Sequence, residues 1–405
     1  MDRVLERCKD LIFLWKQNDS DIYGRRSDMV ANAIIARNKV DRIIHFDAPI
    51  NWCDLTGQLS QANENKAHQG AHIYNNTVRR ALRLSDDKKF LRRVFVYENN
   101  EKSVDCETQF KEAYENFVQQ TIVNDEIARD CILWICPLVF DYEIFIKLLN
   151  PKLIVCDIID DQRSFPKMPQ EMRRKVDDGY NKVLKDANVV FSNCSSVREN
   201  FKSLNNNIHV IPNGFDLSII GAESDPDVMG LPKPIIGYVG NLRDRINWPL
   251  IERIAEAYPG GSIVLVGTSH GRNEAYEVAS RHNNIHLFGV RAYHEAIKIV
   301  RSFDIAIMPH LKTTQSDAMN PLKMFVYFAA GKRIVASKVS NIDIFSGYVS
   351  IASDDDDFMD LLRANIFEWL PELNENLRQF IIKQNSWNVR IDQMWKFIEA
   401  PKYLE

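Results

Sequence analysis

Two apolar runs end in glycine, at Gly240 and Gly267, and a third segment opens with Asn320-Pro321-Leu322-Lys323 and closes at Gly331. A glycine at a strand end lets the backbone approach a ligand without a Cβ clash. A helix N-terminus behind it offers unpaired N–H groups at a positive dipole end. Gly240, Gly267 and the Asn320-Pro321 step therefore suit a phosphate. Pro321 fits the first turn of a helix, where its missing N–H costs nothing. Lys323 falls in that same turn, where a cation opposes the dipole unless an anion is bound nearby. This conflict favours a phosphate over a random surface lysine. Gly331 reads as the left-handed residue that ends the helix.

Groups able to move a proton stand elsewhere. Asp160 and Asp161 follow an apolar strand that runs to Ile159, and a carboxylate or histidine within hydrogen-bond reach of a hydroxyl can take its proton. Aspartates in that position also cap helices, and Asp157 is a further candidate. His45 and His310 sit at strand ends, where a histidine either titrates or packs. Arg25 and Arg26, in the loop after the first strand, suit an anionic acceptor or a solvated loop equally well. From Arg79 to Arg93, seven basic residues are interleaved with leucine and phenylalanine, which fits an anionic bilayer surface or a solvated helix face. The acidic run Asp354–Asp357 reads as a solvated loop before a helix, not as a metal site.

The elements that must position these groups alternate in type. Strands are expected at Leu11–Trp15, Arg42–Phe46, Arg93–Tyr97, Cys131–Ile135, Leu153–Ile159 and Val189–Ser192, with Ser27 capping a helix that runs to about Asn38. A second series places strands at Ile235–Gly240, Ser262–Gly267, Ile285–Phe288, Ile305–Met308 and Arg333–Ala336, with a helix over Trp248–Ala257. Short strands that are apolar on both faces and separated by helices signal parallel sheets covered on both sides. The stretch Ile211–Pro234, rich in Pro, Gly, Asn and Asp, is the expected linker. Residues from Asn374 to Glu399 have helical periodicity.

A length of 405 residues suits two domains, and 45% hydrophobic with 26% charged residues describes a chain with enough apolar mass for two cores. The net charge of -4 argues against a dedicated nucleic-acid binder. No run of 18 apolar residues is present, and Met1–Lys9 lacks the apolar core of a signal peptide. Seven scattered cysteines without a CxxC pair fit a reducing compartment, which makes the cytoplasm the expected location.

Four segments in register resemble bacterial GT-B glycosyltransferases that build surface polysaccharides and teichuronic-acid-like polymers. They are Val210–Asp216, Ile236–Leu242, Asn284–Gly289 with Phe303–Pro309, and Asn320–Lys332. The resemblance implies two Rossmann-like domains facing a cleft: an acceptor domain over 1–215, a nucleotide-sugar domain over 216–375, and a last helix over 376–405 crossing back to the first. It implies a nucleotide-sugar donor, UDP- or GDP-linked, held by Gly240, Asn241, Arg243, Arg245, Gly267, His310, Asn320, Pro321, Leu322 and Lys323. It implies a saccharide or lipid-linked acceptor near Arg25 and Arg26, with Asp160, Asp161 or His45 as catalytic group, and neither a metal nor a cofactor. Retaining members carry two glutamates where this chain has Ala318 and Val326, and a basic residue where it has Asn241. Asp317 is a possible displaced partner for the ribose. A catalytically silent subunit and a nucleotide-sugar epimerase of the same fold stay open as alternatives.

Overall fold

The computed structural model describes residues 9–15, 17–57, 64–98, 105–139, 141–165, 168–269, 273–313, 316, 319–342, 345, 347–367 and 375–399. The chain divides into two compact units: residues 1–62, 70–212 and 390–405 form the first, and 63–69 with 213–389 the second.

In the first unit the strands are β1 (Asp10–Leu14), β2 (Arg42–Phe46), β3 (Ile50–Asn51), β4 (Phe90–Arg93), β5 (Val96–Tyr97), β6 (Ile132–Ile135), β7 (Leu153–Ile158), β8 (Val189–Ser192) and β9 (Ile208–Val210). Seven of them form an all-parallel sheet in the order β4-β2-β1-β6-β7-β8-β9, while β3 and β5 pair separately. Alternation sends Ile12, Leu14, Ile44, Phe46, Leu133 and Ile135 to one face, where Tyr114, Val118, Phe145 and Tyr180 complete the core. The opposite face carries a ladder of rings. His45 meets Phe13 at 5.4 Å, Phe13 stacks on Trp134 at 6.1 Å, and Trp134 stacks on Phe191 at 5.8 Å.

In the second unit β10 (Ile235–Val239), β11 (Ser262–Val266), β12 (Ile285–Gly289), β13 (Ile305–Met308), β14 (Arg333–Ser337) and β15 (Ser350–Ala352) form a parallel sheet in the order β12-β11-β10-β13-β14-β15. Counted within the unit, this is the doubly wound order 3-2-1-4-5-6, so the winding reverses between β10 and β13. Val264, Ala306, Met308 and Ala336 pack on Val300, Phe303, Phe325 and Phe328. Ile236, Ile263, Leu265 and Ile307 pack on Leu250, Ile254, Val278 and Leu362 on the other side. Among the described residues no helix is long and apolar enough to cross a membrane.

Several local expectations change. Ser27 caps nothing: the helix runs Arg26–Ala36, and Asp28 reaches back to accept from the Arg25 N–H at 3.0 Å. The expected strand Arg93–Tyr97 is two strands, because Val94 and Phe95 break the ladder between β4 and β5. The acidic run is a cap rather than a loop. Asp354 accepts from the N–H groups of Asp356 and Asp357 at the start of helix Asp355–Phe367. The C-terminal periodic stretch is two helices, Glu375–Gln384 and Trp387–Ile398.

Candidate functional site

The carboxyl ends of β10 and β13 flank the reversal of winding in the second unit, where a doubly wound sheet opens a crevice for a ligand. Gly240 ends β10 with φ 147°, and Gly267 ends β11 with φ 144°. A Cβ on Gly267 would lie 1.7 Å from the Gly240 carbonyl oxygen, so side chains are excluded where the two strand ends approach. A Cβ on Gly240 would lie 2.8 Å from Lys323 Nζ.

Lys323 stands in the first turn of helix Leu322–Ala329. Pro321 occupies the N-cap, one position before the expected one. The helix ends as expected in a left-handed Gly331, φ 72°, whose N–H and that of Lys332 bond back to Phe328 and Tyr327. The Lys323 ammonium donates to Tyr238 Oη at 2.5 Å and to His310 Nε2 at 3.0 Å, and lies 4.2 Å from the centre of the Tyr238 ring. Tyr238 Oη in turn is 3.2 Å from His310 Nε2 and donates to the Asn241 carbonyl at 3.2 Å. Both partners of the lysine are neutral groups. Burial, reinforced by Arg245, drives Lys323 well below the ordinary lysine range. His310 is likewise pushed well below its usual value by burial, then by Lys323 and Arg245. A half-buried amine with no carboxylate among its described partners is a group that binding an anion would stabilise in its charged form.

Asn320 has a different task from the one expected. Its Oδ1 accepts from the Asn213 N–H at 2.9 Å, its carbonyl accepts from Asn213 Nδ2 at 2.8 Å, and its Nδ2 donates to the Asn341 carbonyl at 3.1 Å. Its amide holds the approach to the lysine helix. Arg245 Nη1 contacts Met319 Sδ at 2.9 Å, Arg243 is half-buried and Asn241 is exposed. Tyr238, Asn213 and Asn341 escaped the sequence reading as site residues. For Tyr238 a signal existed, since it is the one polar-tipped side chain in an apolar run that ends in glycine. Val326 packs against the core at its position, and Asp317 and Ala318 lie outside the described residues.

Strand order separates the first unit's candidates. His45 lies one residue before the end of β2 and Asp160 follows β7, with β1 and β6 between, so three strand spacings put roughly 14 Å between them and they cannot serve one hydroxyl together. His45 is 2% exposed, its ring nitrogens lack hydrogen-bond partners, and burial lowers it to about 4, with Asp47 opposing. Asp161 is bound at both oxygens by Arg163 at 2.9 Å and by Asn200 at 3.0 Å, and it caps the turn Gln162–Ser164. Asp160 is half-buried. Arg26 is buried with Nε 3.0 Å from Asp157, and Arg25 pairs with Asp19 at 2.5 Å. Three of the seven residues in the basic run turn inward, while Arg79, Arg83, Lys88 and Lys89 stay exposed. Arg80 binds Asp47 at 2.5 Å, Arg93 binds Asp125 at 2.7 Å and Asp86 at 2.8 Å, and Arg92 pairs with Asp21. Leu82 and Leu84 remain exposed. No group of metal-binding side chains occurs among the described residues.

Solved structures share this arrangement across nearly the whole chain. Anabaena HepE, in complex with UDP and glucose, superposes with a TM-score of 0.64 at 13% identity, covering 97% of this chain and 100% of that one. The chain has the GT-B fold. Sucrose-phosphate synthase from Thermosynechococcus elongatus gives the same TM-score and identity over 98% of this chain and 100% of its own. No protein-family model matches. A curated relative, TuaH of Bacillus subtilis (strain 168), whose name provisionally assigns it to teichuronic acid biosynthesis as a glycosyltransferase, is 23% identical over 205 residues. The match takes in 48% of this chain and 52% of TuaH, so the chain spans about half the length of the curated relative it matches.

Proposed function

We propose that the chain is a glycosyltransferase that moves a sugar from a nucleotide-sugar donor, its diphosphate seated against Gly240, Gly267 and Lys323, to a hydroxyl of a saccharide or lipid-linked acceptor in cell-surface polysaccharide synthesis. The observation that carries this reading is the half-buried Lys323, bonded among the described residues to the neutral Tyr238 and His310 at the reversal point of a doubly wound sheet. A diphosphate there would restore charge balance and hold the lysine protonated. As the bond to the sugar breaks, negative charge grows on the leaving diphosphate, and a fixed ammonium in a water-poor pocket stabilises it. Asp160 is the carboxylate best suited to take the acceptor proton, since Asp161 is already saturated by Arg163 and Asn200. UDP- and GDP-sugars are the donors to try first, and neither a metal nor a cofactor enters the scheme.

Association with an anionic membrane surface, through exposed Leu82 and Leu84 beside Arg79 and Lys88, would bring a lipid-linked acceptor within reach. Sedimentation with phosphatidylglycerol vesicles tests that part. Val326, apolar where related transferases have a glutamate, favours a second reading in which the nucleotide binds without transfer. Thermal stabilisation by UDP, GDP, CMP or dTDP is expected under both readings, and absence of any shift refutes both. Release of nucleotide from a matching sugar donor, dependent on added acceptor, is expected only from a transferase.

A further inference from the structure

At the opposite, amino-terminal ends of β10, β13, β14 and β15 lies a cavity of about 1230 Å³ that the donor site does not use. Lys233, Arg301, Lys332, Arg333 and Arg378 line it, against two carboxylates, Asp304 and Glu375. Part of this charge has a structural role. Arg378 caps the Phe328 and Ala329 carbonyls at 3.1 and 2.7 Å, and Lys332 binds those of Arg301 and Phe303 at 2.6 and 2.7 Å. Arg333 Nη1 binds the Asn365 carbonyl at 2.7 Å. Three helix C-termini thus converge here, each equivalent to about −0.5 charge, roughly −1.5 together. The side chains sum to +3, five cations less two carboxylates, so the cavity keeps a clear positive excess.

Donor capacity is also left over. Among the described residues, Arg301 binds carbonyls through Nε and Nη1, and Arg333 through Nη1. Arg301 Nη2 and the Nε and Nη2 of Arg333 therefore have no acceptor among the described residues. The Lys233 side chain is 67% exposed and, among the described residues, pairs with Asp304 at 2.9 Å. Two guanidinium edges and two ammonium groups around one concavity match phosphate oxygens. Burial, then Arg301, lowers Lys332 to about 8, still largely charged at neutral pH.

We propose that this cavity is a second anion site, which takes a small phosphorylated molecule carrying two closely spaced phosphate groups. It is distinct from the donor cradle: β10 alone, five residues long, puts roughly 17 Å between the two. Helix Leu322–Ala329 begins at one site and ends at the other. The probe is inorganic pyrophosphate, titrated calorimetrically into the full chain at low salt. Two sites are expected in the wild type. Lys323→Met should remove one and leave the other. The double variant Lys233→Glu, Arg333→Gln should weaken the second by about tenfold or more and keep the first. Lys233→Glu alone, at a residue whose side chain is 67% exposed, should still weaken it about threefold or more. Unchanged pyrophosphate binding in both pocket variants overturns the proposal. Failure of the donor reading would appear separately, as an unchanged first site in Lys323→Met.

Discussion

Replacing Lys323 by methionine separates its ligand role from its cost to the fold. Methionine nearly matches the volume of the buried stem, so packing on Tyr238 should survive with less than about 1.5 kcal/mol of strain. The amine makes two bonds to neutral groups in a half-buried place that lowers it well below the ordinary lysine range, so the free protein gains little from its charge. With a diphosphate bound, the same nitrogen makes charge-assisted hydrogen bonds worth about 1.5–3 kcal/mol each, which translates to roughly 10- to 150-fold in nucleotide affinity. The expected outcome is opposite movement of two measurements. The melting temperature of the free variant holds or rises, while its dissociation constant for the nucleotide that best stabilises the wild type rises at least tenfold. Differential scanning calorimetry and isothermal titration read the two quantities. A variant that binds this nucleotide within twofold of wild type refutes the role assigned to Lys323, and one that unfolds shows the lysine to be structural.

Further outcomes follow from the same geometry. An anion beside Lys323 favours its charged form, so nucleotide binding at neutral to alkaline pH should take up protons, seen as a binding enthalpy that changes with buffer ionisation enthalpy, and affinity should fall as pH rises. Asp28 is raised from 3.8 to about 7 by burial, then by Asp21. Its contribution is present in full below its unfolded value and is lost progressively as pH rises from about 4 to about 7, to the extent of about 4 kcal/mol, so urea midpoints should drop between pH 4 and 7 in wild type and change less in Asp28→Asn. Gly267→Ala should abolish nucleotide binding and lower the melting temperature, because its Cβ would enter the Gly240 carbonyl. Asp161→Ala should destabilise the fold by about 2 kcal/mol or more in urea titrations, since it strands Arg163, whereas Asp160→Asn should lower turnover with stability near wild type.

Most strands were legible because strands buried on both faces must be continuous apolar runs: Arg42–Phe46, Val189–Ser192 and Ile305–Met308 lie where the sequence puts them. The helix end at Gly331 was legible for a local reason too, as only a residue tolerant of positive φ fits there. Partners distant in the chain were not legible. Arg26 looked like a loop cation until Asp157, 131 positions on, neutralised it. Arg93 looked like a surface residue until Asp125 and Asp86 surrounded it. Charge alone cannot say whether an arginine faces water or a buried aspartate, because the stem is apolar and either setting accommodates it.

The proposed donor site follows from a local conflict that tertiary structure deepens instead of resolving. A lysine in the first turn of a helix already opposes the dipole. The fold could have neutralised it, as it does for Arg26, Arg80 and Arg93, each of which meets an aspartate. At Lys323 it supplies Tyr238 and His310, adds Arg245 nearby, and puts valine at position 326 where a carboxylate would have lain on the same helix. Burial, then Arg245, raises the cost of a proton on Lys323 in the free protein, and so increases what an incoming diphosphate would recover. Among the described residues the neighbours of Lys323 include no carboxylate for ribose hydroxyls, so under the proposed function donor recognition is expected to rest on the diphosphate more heavily than on the sugar ring beside it. Donors that share a diphosphate and differ in base should then bind within a narrow range of one another. A monophosphate donor should bind far more weakly, and a CMP-sugar equal in affinity to a UDP-sugar would show that Lys323 does not anchor the diphosphate.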